Sequence, residues 1–192
     1  LTLKANALLN DDVLKLDIDA ARTDGKGGQF GISANLARGE NLLDLLVNLS
    51  EDEKGIVSRL LGIPNEPSVD LNIAGQGPLS DFKTDITLST DGTPRLTGQV
   101  GFAELGDQSA PDRRIQADLS GDVTALILSQ YREFFGPDVA LTLDALVQAD
   151  GGIDVSDFAL KTQSADLQGK ITLNSDKWPS LIDITGTVAA AD

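Results

Sequence analysis

Apolar and polar side chains take turns along short runs from one end of this chain to the other, and that alternation limits its possible folds more than any other feature. From Asp70 to Phe102 the sequence reads DLNIAGQGPLSDFKTDITLSTDGTPRLTGQVGF. Leu71 and Ile73, then Phe82, Ile86 and Leu88, then Leu96, Val100 and Phe102 fall on every second position, with Asp, Lys, Thr, Ser and Gln between them. A strand turns successive side chains to opposite faces, so this spacing predicts half-buried strands with one greasy face and one wet face.

The same pattern recurs. It aligns Leu14, Leu16, Ile18 and Ala20, then Phe30, Ile32, Ala34 and Leu36, then Ile115, Ala117 and Leu119. It continues through VALTLDALVQAD, GIDVSDFALKTQ and SADLQGKITLNS, where Leu167 and Ile171 are in phase, and LIDITGTVAA, where Ile184 and Val188 are. Asp24-Gly25, Asp91-Gly92 and Asp150-Gly151-Gly152 separate the runs and suit the left-handed positions of tight hairpin turns. Short connections between successive strands predict an antiparallel meander of about ten strands. Gly also recurs inside the runs, as in LTGQVGF, LQGKITL and ITGTVA, which gives the chain a weak repeat and points to an elongated sheet.

Stretches near 40–62 and 122–135 depart from this pattern and predict short helices. ENLLDLLVNLS and DEKGIVSRLLGIP carry leucines at helical spacing and stop at Gly62 and Pro64. DVTALILSQYREFFGP could align Val123, Leu126, Ile127, Tyr131, Phe134 and Phe135 before Gly136-Pro137. Such helices cannot cover the greasy face: about ten strands spaced 4.8 Å apart extend on the order of 45 Å, and a twelve-residue helix spans only ~18 Å. Leaving a large apolar side chain in water costs roughly 1.5–3 kcal/mol. The face must therefore be covered by a second sheet or a fold-back of the same sheet in a closed sandwich, by full closure into a barrel, or by an apolar ligand, and an incompletely closed fold leaves an apolar-lined trough that suits acyl chains.

Composition narrows the chemistry. The chain has no His, no Cys and no Met, so the usual hydrolase triads and most zinc sites cannot be assembled. Ser and Thr sit on polar faces and in turns, and Asp17 and Asp19 point from the wet face, so these read as solvated surface and not as acid–base pairs. DGKGGQFG brushes against a calcium-binding Gly/Asp repeat but occurs once, so it reads as a turn. Arg113-Arg114 is an isolated basic pair, and Tyr131, Phe134 and Phe135 beside Arg132 read as a helix docking on the sheet. A net charge of −15 excludes nucleic acid as a partner and opposes docking on anionic lipid surfaces. No enzyme activity, metal or cofactor is expected. The chain opens at Leu1 in mid-pattern and reads as a piece of a longer protein, one section of an elongated fold spanning 1–192.

Two segments carry a resemblance. PSVDLNIAGQGPLSDFKTDITLSTDGTPRLTGQV and DLSGDVTALILSQYREFFGPDVALTLDALVQADGGIDVSDFALKT resemble the periplasmic repeat region of the TamB/AsmA-like family, in the style of an alphaproteobacterial member. The likeness runs from about Pro67 to Val188 and rests on alternation, Gly placement and the GQGPLSDF motif. It implies an all-β, mostly antiparallel sheet folded lengthwise into an apolar trough (β-taco-like), in the periplasm of a Gram-negative bacterium and anchored in its inner membrane. The implied function is to conduct phospholipids between the two membranes and to support outer-membrane protein and autotransporter assembly with TamA, an Omp85-family barrel. The expected acyl-chain contacts are Leu16, Ile18, Phe30, Ile32, Leu71, Ile73, Phe82, Ile86, Leu96, Val100, Leu167, Ile171, Ile184 and Val188. A closed structural or adhesive solenoid, and a chaperone-like binder of outer-membrane β-strands, are the competing expectations. Raw edge strands also predict self-association.

Overall fold

The computed structural model describes residues 1–24, 26–106 and 110–189. Twelve strands form a single antiparallel sheet whose spatial order is the order of the chain. They are β1 (Thr2–Leu9), β2 (Val13–Ala21), β3 (Gly28–Ala37), β4 (Leu42–Glu51), β5 (Val69–Pro78), β6 (Phe82–Thr90), β7 (Thr93–Leu105), β8 (Asp112–Gly121), β9 (Val139–Val147), β10 (Ile153–Lys161), β11 (Ala165–Leu173) and β12 (Pro179–Val188). β1 does not pair with β12, so the sheet is open and not a barrel. At about 4.8 Å per strand the ladder direction runs on the order of 50 Å, longer than any one strand. The expected meander is therefore present, and the closed sandwich is not.

Local chemistry explains the turns. Asp91 and Gly92 both take positive φ, 50° and 70°, between the paired Thr90 and Thr93, as a two-residue hairpin turn requires. Gly25, in the expected Asp24-Gly25 turn, lies outside the described residues.

The expected helix near 40–62 is corrected in its first half. Leu42–Glu51 is β4, paired along its length with β3 and β5. Only Ile56–Leu60 is helical there, as α1. LLDLLVNLSE fits both periods. As a strand it places Leu43, Leu45, Val47 and Leu49 on the greasy face and leaves Leu42 and Leu46 exposed on the other. Two flanking strands with open hydrogen-bonding edges decide between the two periods. In the second stretch the helix is confined to a 3-10 turn at Ser129–Tyr131 and α2 (Arg132–Phe135). β1 and β4 raise the expected ten strands to twelve.

Because strand direction reverses at every step, α1, after β4, and α2, after β8, lie on the same long edge of the sheet. The buried apolar side chains gather mostly at that edge: Ile63, Val69, Val139 and Ala165, with Phe82 and Ala145 elsewhere. The well-packed core is thus where the helical connections fold onto the strand ends. The broad sheet face is not enclosed.

Candidate functional site

The register aligns apolar side chains into rows that cross the whole sheet. Directly opposed residues of antiparallel strands share a face. One row runs Ala5, Ile18, Ile32, Val47, Ile73, Ile86, Gly98, Leu119, Leu141, Leu160, Leu167 and Gly186, one residue from every strand. A second, toward the helix-bearing edge, runs Leu3, Ala20, Phe30, Leu49, Leu71, Leu88 and Leu96.

The remaining expected residues share this face. Leu16 opposes Ala34, which in turn opposes Leu45, in the β2–β4 half. Val100, Ala117, Leu143, Phe158, Gly169 and Ile184 continue the position from β7 to β12. Between these halves the β5–β6 ladder stops at Ala74 and Asp85. Phe82 packs where the ladder opens: a Cβ on Gly75 would lie 3.1 Å from its ring. Phe82 also joins Phe102, Ile115, Ala145, Val155, Ile171 and Ile182 in a row along the other edge. Val188 opposes Ala165.

All of the expected contacts thus lie on one surface, but they differ in what they offer a ligand. Phe82 is only 7% exposed, whereas Ile184 and Val188 on the outer strand are 45% and 63% exposed. Most of the others are half-buried. A small apolar hollow of about 170 Å³ forms where Ile56 and Val57 of α1 stand over Ala20, Phe30 and Leu49.

The opposite face is polar and laterally cross-linked. Asn72 donates to Asn48 at 2.6 Å, Gln99 to Asp85 at 2.8 Å and Ser33 to Asp17 at 2.8 Å. Arg114 forks onto Asp144, which also accepts from Gln116 at 3.0 Å, and the Arg114 fork is the main force holding the Asp144 carboxyl below its ordinary range. A hollow of about 730 Å³, lined by Lys4, Asp19, Asn48, Asp70, Asn72 and Thr87, belongs to this wet face. The greasy rows lie on the other side of the sheet, so this concavity is not the expected acyl groove.

Sequence reasoning missed Glu51. It is in phase with Leu43, Leu45, Val47 and Leu49 and is only 5% exposed. Its carboxylate accepts from the Ile56 and Val57 backbone N–H groups at 2.5 and 2.7 Å and from Arg22 at 3.2 Å. A charge at an inward position of an alternating run was the available signal. Tyr131 and Phe134 of the aromatic cluster are 49% and 37% exposed, and the Phe134 and Phe135 rings meet edge-on at 5.2 Å.

Among the described residues no group of three or more His, Cys, Asp or Glu converges as a metal site, and no helix is long and apolar enough to cross a membrane. No protein-family profile matches this chain, and no curated protein or solved structure does either.

Proposed function

We propose that this chain is one section of a periplasmic conduit of TamB/AsmA-like type that moves phospholipids along an apolar sheet face. The observation that supports it most is the apolar row from Ala5 to Gly186, which crosses every strand without a charged residue and stays accessible. Acyl chains would lie across such rows, and headgroups would stay in water beyond the strand ends. Transport is then passive, and no residue makes or breaks a bond. The inner-membrane anchor, the Omp85-family partner TamA and a role in outer-membrane protein assembly belong to the same proposal and rest on the resemblance of the two quoted segments. A packed structural solenoid fits less well, because few apolar side chains are buried. The unpaired edges of β1 and β12 favour a second reading, in which an unfolded β-strand adds to the sheet.

Native mass spectrometry with lipid extraction tests the proposal. Phospholipid should travel with the protein, and Ile86→Asp and Ile171→Asp should each remove it while far-ultraviolet circular dichroism and a cooperative melt are retained. A lipid-free protein, or lipid retained in both variants, would sink the conduit reading. Retention of an outer-membrane β-strand peptide by the lipid-free protein would favour strand addition.

A further inference from the structure

We propose that the helix-bearing edge contains a phosphate-binding hollow built on Arg95 and Arg132. The connections on either side of the β6–β7 turn come together there around a space of about 310 Å³ lined by Asn65, Thr90, Asp91, Arg95, Thr124 and Arg132. The volume of about ten waters accommodates a phosphate with part of its hydration shell.

The charges in the hollow are unevenly matched. Arg95 donates from Nε to the Thr90 hydroxyl at 2.8 Å and from Nη1 to Asp122 at 3.3 Å. Asp122 is further engaged by the Thr124 N–H and hydroxyl. Asp91 accepts from the Ser68 N–H and hydroxyl at 3.1 and 3.2 Å. Both nearby carboxylates therefore already have partners. Arg132 is half-buried and forms no ion pair among the described residues; its Nε is turned into the protein, which leaves the terminal guanidinium nitrogens as the groups open to an anion. A guanidinium without a carboxylate partner in the wall of a polar hollow gives that wall a local excess of positive charge, which favours an anion there.

Several donors favour a phosphate. The terminal nitrogens of Arg132 can fork onto a tetrahedral oxyanion, Arg95 has its Nη2 beyond the bonds to Thr90 and Asp122, and the Asn65 amide supplies a further donor. A chain of net charge −15 repels anions at long range, so capture requires a local site of this kind. The hollow is also well placed for an amphiphile. Thr90 is in phase with Ile86 and Leu88, so the hollow lies at the end of the greasy rows. A phospholipid headgroup held there would leave its tails on Leu71, Leu88 and Leu96. That headgroup placement rests on the conduit reading; the phosphate site does not.

Isothermal titration of the full chain separates these possibilities. Inorganic phosphate should bind in the millimolar range, and Arg132→Gln should weaken it about tenfold, the scale of one lost charge-assisted hydrogen bond. Arg132→Lys, which keeps the charge but loses the fork, should fall between, and Arg95→Gln should weaken binding comparably. Arg59→Gln, whose side chain is paired with Glu66 on the surface, should change nothing. No phosphate binding, or binding indifferent to both Arg132→Gln and Arg95→Gln in folded protein, overturns the site. Dihexanoylphosphatidylglycerol below its micellar concentration identifies the source. Tighter binding than phosphate, with only the excess removed by Ile86→Asp, places the tails on the sheet. Equal binding of the two ligands overturns the headgroup placement and leaves a free-phosphate site.

Discussion

Glu51 shows how one residue joins the sheet to its helical edge. A carboxylate at an inward position would oppose folding if left unpaired, yet here it occupies the N-terminus of a five-residue helix that has no other side-chain cap. Glu51→Leu suits the greasy face but leaves the Ile56 and Val57 N–H groups without that acceptor, so it should destabilise the protein by about 1–3 kcal/mol in urea unfolding. Glu51→Gln, which keeps an acceptor oxygen, should cost less. A Cβ on Gly55 would fall 2.0 Å from the Glu51 carboxyl carbon, so Gly55→Ala must expel the cap. The two losses should then fail to add in a double-mutant cycle. The acid limb of stability is also set by individual residues. The Arg22 side chain holds the Asp24 carboxyl down at about 2, and Thr124 and Arg114 respectively hold those of Asp122 and Asp144 below the usual range. Depressed carboxyls contribute stability above the ordinary carboxylate range and lose it as pH falls through their folded values. Stability should therefore be level above about pH 4 and decline toward pH 2. In a carbon-13 carboxyl titration, Asp24 should move from a midpoint of about 2 toward 3.8 in Arg22→Gln.

Glycines inside the strands act at the scale of the element. Gly98 has φ of 153°, and a Cβ there would lie 1.9 Å from the Asp118 carbonyl oxygen on β8. Close approach of β7 and β8 requires the missing side chain, which is also why the row between Ile86 and Leu119 has a notch. Gly98→Ala should cost about 1–3 kcal/mol in thermal unfolding. Gly39→Ala, in a turn with open space around it, should be nearly neutral. The recurrence of Gly in these runs is visible in the sequence, but its cause is not, because the colliding carbonyl belongs to another strand. The same limit explains β4. Alternation in Leu16–Ala20 or Leu71–Ile73 can be read locally, since polar residues mark the other face. LLDLLVNLSE has leucines on both faces, and only the open ladders of β3 and β5 decide its period. The greasy face was legible because it follows from parity alone. Arg95 and Arg132, separated along the chain, converge only through the two connections that fold toward the β6–β7 turn.

At the scale of the whole molecule, an open sheet has two edges and one unprotected face, and both invite association. Every residue of β1 and of β12 is exposed, including Leu3, Ile182 and Val188 at 63%, 62% and 63%. Each outer strand also presents an unpaired ladder of backbone donors and acceptors. The net charge of −15 opposes contact between copies, and this repulsion is screened over about 8–10 Å at ordinary ionic strength. Sedimentation velocity should therefore show concentration-dependent association that strengthens as salt is raised. Which surface drives it can be separated by variant. Leu3→Lys and Ile182→Lys put charge on the two outer strands, at the ends of two rows, and leave the row from Ala5 to Gly186 and the inner strands intact, whereas Ile86→Asp damages the centre of the face and leaves both edges intact. Edge pairing predicts that the lysine variants return the protein to monomer and Ile86→Asp does not. Face-to-face packing predicts the reverse, and it would place a second copy of the chain on the surface proposed to hold acyl chains. Added phospholipid should then compete with association in the wild type. With edge pairing, lipid and self-association should be independent, because they use different parts of the same sheet.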